Sequence, residues 1–84
     1  MLHNRIALLR TERNVTRREL AEAGGVNFQT IGYLERGDYS PSLELAMKIA
    51  RFFGLPVEMV FSFEPFAPLA AELMRAKASL AGEP

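Results

Sequence analysis

The stretch from Arg17 to Glu35, RRELAEAGGVNFQTIGYLE, limits what this chain can fold into more than any other. Two short segments with helical spacing flank the pair Gly24-Gly25. Leu20 and Ala21 give the first its apolar face. Ile31 and Leu34, three residues apart, share one face of the second. Gly25 stands where the backbone must turn sharply, a place that favours positive φ, and Val26 follows it as an apolar plug. Thr16-Arg17-Arg18-Glu19 fits a capping box, so the first helix of the pair begins at Arg17 and runs to about Ala23. Helices this short are marginal alone, and the rest of the chain has to pack them.

The flanking sequence supplies that packing. Residues 4–13, NRIALLRTER, read as a helix with Ile6, Leu9 and Ala7 or Leu8 inward and Asn4 as its cap. Asn14 suits the left-handed conformation that ends a helix. Asn27 is placed to cap a third helix, Phe28 to about Arg36, which Gly37 ends, and the run Gly37 to Pro41 is a turn by composition. Ser42 caps a fourth, Leu43 to Phe53, with Leu45, Ile49 and Phe52 or Phe53 inward and Gly54 as its stop. A short fifth helix, about Pro56 to Phe61, opens on proline, where a missing N–H costs nothing. Two helices meeting steeply across a three- to four-residue turn make a helix-turn-helix, whose second helix is the usual reader of DNA bases.

Beyond the fifth helix the pattern changes. In VFSFEPF, residues 60–66, alternate side chains fall on opposite sides if the segment is extended. A short strand there has no obvious partner in a helical chain and would pair with its copy across a two-fold axis, unless Phe61 and Phe63 simply close the bottom of the core. After Pro65 and Pro68, Leu69, Leu73, Ala76 and Leu80 recur on one helical face, and such a helix needs a surface to pack on. The expected organisation is an all-α domain over residues 1–61 and a C-terminal extension, 62–84. Dimerisation is expected through Val60, Phe61, Phe63, Leu69, Leu73 and Leu80.

Composition removes several classes of function. The chain has no cysteine, which excludes disulfides, thiol catalysis and cysteine-based zinc sites. His3 is its single histidine, and Ser40, Ser42, Ser62 and Ser79 have no histidine partner at a plausible place, so no catalytic, metal or cofactor site is expected. Gly24-Gly25 joins two helices and is not a strand-to-helix phosphate cradle. No apolar run approaches the ~20 residues that span a bilayer, and no charged-then-apolar leader opens the sequence, so a cytoplasmic protein without membrane contact is expected. Ten Lys and Arg balance ten Asp and Glu. Arg5, Arg10, Arg13, Arg17, Arg18 and Arg36 all fall in the first forty residues, which permits a local positive face on a neutral chain.

Arg10, LAEAGGV at 20–26, QTIGYLERG at 29–37, PSLELAMKIARFFGL at 41–55 and EMVF at 58–61 together resemble the Cro/repressor-type helix-turn-helix family of bacterial, archaeal and phage regulators, also called the xenobiotic-response-element family. The resemblance covers about two-thirds of the chain. It implies a five-helix, lambda-repressor-like domain that binds double-stranded DNA as a homodimer on a pseudo-palindromic operator, most simply as a repressor. Base contacts would come from Asn27, Phe28, Gln29, Thr30 and Tyr33: Gln29 suits adenine N6 and N7, and Phe28 suits a thymine methyl. Gly32 would let the backbone approach closely. Phosphate contacts would come from Thr16, Arg17, Arg18, Arg36, Tyr39, Ser40 and Ser42, partly through the free N–H groups at helix starts. Arg10 and Glu35 resemble the family's structural ion pair. The chain departs from the family pattern at Arg17, usually Gln; at Gly24, usually Leu-like; at Phe28, usually polar; and at Pro56, usually Ser or Thr. Its neutral charge and Phe28 also motivate a second reading: an antitoxin or protein-interaction module on the same fold, with a protein partner at the C-terminal extension.

Overall fold

The computed structural model describes residues 2–66 of the chain. In order they form β1 (His3–Asn4), α1 (Ile6–Glu12), α2 (Arg17–Gly24), α3 (Phe28–Arg36), α4 (Leu43–Phe53), α5 (Val57–Val60) and β2 (Phe61–Ser62). Local chemistry sets most of these boundaries. The Thr16 hydroxyl accepts from the Glu19 N–H at 3.1 Å, and the Glu19 carboxylate accepts from the Thr16 N–H at 3.3 Å, which completes the capping box of α2. Asn27 and Ser42 cap α3 and α4 by accepting from Gln29 and Leu45 N–H. Asn14 has φ 55°, and Gly37 and Gly54 end α3 and α4 in the left-handed region.

The expected strand exists, and its partner lies within the chain. β2 pairs antiparallel with β1, His3 opposite Ser62 and Asn4 opposite Phe61. The Arg5 N–H continues the contact to the Val60 carbonyl. This shortens the first helix relative to residues 4–13, because His3 and Asn4 are taken into the ribbon. Asn4 still serves the start of α1: its Oδ1 accepts from Ile6 N–H at 3.1 Å, while its Nδ2 donates to the Leu34 carbonyl at 2.8 Å and so ties the amino end to α3.

Ile6, Leu20, Ile31, Leu34, Ile49 and Val60 are fully buried, so each of the five helices places a side chain in one core. Phe61 is buried beside them, whereas Phe63 is 83% exposed. Val60 and Phe61 are therefore core residues of their own domain, and this corrects their assignment to a dimer surface. Leu69, Leu73 and Leu80, with the helix expected around them, lie outside the described residues.

The turn between α2 and α3 is built as the glycine pair requires. Gly25 has φ 69°, and its N–H bonds to the Glu22 carbonyl. Gly24 is buried for a different reason: a Cβ there would lie 2.9 Å from Leu45 Cδ1. The volume expected of a leucine-like residue at position 24 is filled from α4.

Glu35 fixes the rotation of α3. Its side chain is only 5% exposed and accepts from Arg10 Nε of α1 at 2.7 Å and from Arg17 Nε of α2 at 2.8 Å. Arg10 also donates to the Val15 carbonyl, which holds the turn between α1 and α2. Two stability predictions follow from these contacts. Thr16→Ala should cost about 1 kcal/mol in urea unfolding, the usual worth of such a cap. Glu35→Ala should cost about 3 kcal/mol or more, because it strands the largely buried Arg10; Arg10→Met with Glu35→Leu should recover much of that loss. A double variant no more stable than Glu35→Ala would show that burial of unpaired charge is not the cause.

Candidate nucleic-acid interface

With Ile31 and Leu34 in the core and Glu35 clamped, the remaining face of α3 is determined. Gln29, Tyr33 and Arg36 follow an i, i+4, i+7 stripe on the outside of the helix, and all three are exposed. Asn27 and Phe28, exposed at its amino end, extend this surface. Thr30 is only half-exposed, and Gly32 is buried. The backbone at Gly32 was expected to stand open. Instead the Arg36 side chain runs back over it, with Nη1 3.5 Å from where a Cβ would sit.

The polar groups differ in what they have free. Asn27 Oδ1 is engaged by the Gln29 N–H at 2.7 Å, so the cap consumes one of its functions. Gln29 has its whole side chain available at the first turn of α3. The Arg36 guanidinium lies 5.0 Å from the Tyr33 ring centroid and pairs with Asp38 at 3.1 Å, which orders the carboxyl end of the reading face. Tyr39 and Ser40 follow in the exposed turn before α4.

The start of α2 adjoins the start of α3. Arg18 carries its guanidinium carbon 4.3 Å from the Phe28 ring centroid, so the one large apolar residue at the tip of α3 is partly covered from α2. Arg17 binds Glu35 through Nε, yet about half of its side chain stays exposed. Thr16 differs from the sequence expectation, since its N–H and hydroxyl both engage the Glu19 carboxylate. A phosphate there would have to displace an acidic group. Ser42 is likewise used as a cap, by accepting from Leu45 N–H at 3.1 Å, although it remains exposed.

The structure thus brings Arg17, Arg18, Phe28, Gln29, Tyr33 and Arg36 together across α2 and α3, with Tyr39 and Ser40 at the edge. The Arg17–Glu35 pair and the Arg18–Phe28 stack have no local sequence signal, since each joins residues of different helices. Among the described residues no group of three or more His, Cys, Asp or Glu could hold a metal ion, and no helix is long and apolar enough to cross a membrane.

Known proteins resemble this chain in sequence and fold. The family model described as helix-turn-helix matches residues 6–60. An uncharacterized HTH-type transcriptional regulator of Methanocaldococcus jannaschii is 44% identical over 63 residues, which cover 75% of this chain and 96% of that protein. The cryptic phage CTXphi transcriptional repressor RstR of Vibrio cholerae is 37% identical over 62 residues, 74% of this chain and 56% of the repressor. Among solved structures, a candidate DNA-binding protein from Bacteroides fragilis superposes with a TM-score of 0.66 at 29% identity, covering 74% of this chain and all of that one. Fold, motif and relatives agree on the family, and the relatives are described as transcriptional regulators. The chain belongs to the helix-turn-helix family of DNA-binding transcriptional regulators, of the xenobiotic-response-element type.

Proposed function

We propose that this protein is a sequence-specific regulator, acting as a repressor, that inserts α3 into the DNA major groove as a homodimer. One observation carries the reading: the exposed stripe Gln29–Tyr33–Arg36 sits on a helix whose opposite face is locked by Ile31, Leu34 and Glu35. A reading head needs such rigidity, because hydrogen bonds to base edges tolerate little misplacement. Gln29 pairs with an adenine edge through its amide, Asn27 through the Nδ2 left free by the cap. Thr30 and Tyr33 reach a neighbouring base or sugar. Arg17, Arg18, Arg36, Tyr39 and Ser40 engage phosphates and set register, with the N–H groups at the starts of α2 and α4. Repression by occupying a promoter is the simplest outcome for a DNA-binding domain with no ligand domain among its described residues, and it accords with the similarity to the repressor of Vibrio cholerae. The protein acts in the cytoplasm, on the nucleoid.

One copy offers only the charges of Arg17, Arg18 and Arg36 to phosphates, so two linked copies suit the protein better than one. Their α3 helices would enter successive major grooves about 34 Å apart on a pseudo-palindromic operator. The dimer surface draws on the exposed apolar side chains Leu43 and Met47 of α4 and Phe63, and on Leu69, Leu73 and Leu80, which lie outside the described residues.

Selection from a random duplex pool should retain a two-fold-related sequence, and Gln29→Ala should then bind it about 5- to 150-fold more weakly, the worth of one bidentate base contact. Equal affinity for selected and scrambled duplexes at low salt would overturn the regulator reading and favour a protein-interaction role. Sedimentation equilibrium at high micromolar concentration should give a dimer that Phe63→Asp weakens. A monomer under those conditions would remove the two-fold operator model.

A further inference from the structure

We infer that Phe28 and Arg18 together read a pyrimidine 5-methyl group, with Phe28 as the contacting residue and Arg18 as the positioning residue. This rests on the proposal that α3 enters the major groove. Phe28 is the first residue of α3 and remains 38% exposed; Leu20, Ile31 and Leu34 of α2 and α3 are in the core, and the other exposed ring of α3, Tyr33, carries a hydroxyl that Phe28 lacks. Water is an unfavourable neighbour for that ring, and what it meets in the groove has to be apolar.

The chemistry of base edges narrows the partner. In the major groove guanine shows N7 and O6, adenine N7 and N6, and cytosine N4, all groups that need a hydrogen-bond partner. A phenyl ring offers none, so each of these would be dehydrated and left unpaired against it. The pyrimidine 5-methyl is the apolar feature that remains, carried by thymine or by a methylated cytosine. Gln29 follows directly in sequence and carries the polar functions Phe28 lacks, so the methyl and an adenine edge would be read within one or two base pairs of each other.

Arg18 gives the ring a defined place. Its guanidinium carbon lies 4.3 Å from the ring centroid, which covers one side of Phe28 and leaves the rest of the ring for the base. Arg18 comes from α2 and Phe28 from α3, so the stack ties the reading tip to the helix that approaches the phosphates. Excluding water on DNA binding strengthens a cation over an aromatic face, so the contact tightens as the complex forms.

The test uses the full chain and the duplex selected from a random pool. Each thymine is replaced in turn by deoxyuridine, and affinity is read by fluorescence anisotropy. At one position per half-site, loss of the methyl should weaken wild-type binding about fourfold, the worth of one buried methyl-sized group. In Phe28→Ala that thymine-to-uracil ratio should fall to about one, and Phe28→Leu should keep part of it. Arg18→Gln should lower the ratio, whereas Arg18→Lys, which retains a cation, should preserve more of it; a purely phosphate-binding Arg18 would change affinity and leave the ratio alone. Placing cytosine and 5-methylcytosine at the same position separates the sources. Tighter binding of 5-methylcytosine supports reading of the methyl itself, and thymine over uracil without that gain assigns the methyl to thymine. A pool that retains no sequence overturns base reading altogether, and this inference with it. A retained sequence indifferent to every methyl, or a ratio unchanged in Phe28→Ala, overturns this inference alone.

Discussion

Glu35 is the group on which the arrangement of the three amino-terminal helices depends. A carboxylate this far from water is destabilising unless its charge is met by partners of good geometry. Arg10 from α1 and Arg17 from α2 meet it, each through Nε and each under 3 Å. One residue of α3 thereby fixes its position against both preceding helices. The apolar residues Ile31 and Leu34 bury α3 but would tolerate small rotations; the ion pairs do not. In the proposed reading of DNA, the direction of Gln29 and Tyr33 decides what is recognised, so the clamp behind the helix matters as much as the side chains in front.

The same contacts explain how a chain with no net charge can present a positive face. Arg10 and Arg17 converge on one carboxylate and leave that cluster with a surplus positive charge. Arg18 lies over Phe28, Arg36 over Tyr33, and Arg13 over Phe53. These long side chains are held by aromatic rings and a few acids rather than left to sample solvent, which for Arg18 and Arg36 lowers the entropy that the proposed phosphate contacts would cost.

Most of the helix plan was legible because it is written in local chemistry. Thr16 with Glu19, Asn27, Ser42, Gly37 and Gly54 each act within a few residues of their own position, and each boundary they mark is where it was expected. The ribbon was half legible. Alternation around Phe61 announced β2, but β1 is two residues long, too short for any periodicity, and the pairing of Asn4 with Phe61 spans nearly the whole described chain. Missing that partner led to the reading of Val60 and Phe61 as a dimer surface, because without β1 nothing appeared to cover them. The outward stripe of α3 followed from its buried one, whereas the Arg36 side chain over Gly32 could not be foreseen from glycine's smallness alone.

Two of the positions at which the sequence departs from the family pattern, Gly24 and Phe28, are answered in the same way, each by one side chain from another helix. Gly24 leaves a space beside the turn, and Leu45 of α4 occupies it so closely that a Cβ would collide with its Cδ1. Phe28 puts an apolar ring at the reading tip, and Arg18 of α2 covers part of it. The consequences differ because the sites differ. At Gly24 the exchange is internal to the core: volume removed from α2 is returned by α4, and the turn keeps its geometry. At Phe28 the cover is partial and cationic, at the exposed amino end of α3, so the surface there is not the polar one of the family pattern. The interior departure is thus matched by packing alone, whereas the one at the tip of α3 leaves an apolar ring partly exposed beside a guanidinium, and under the proposed reading of DNA it is the second that bears on recognition.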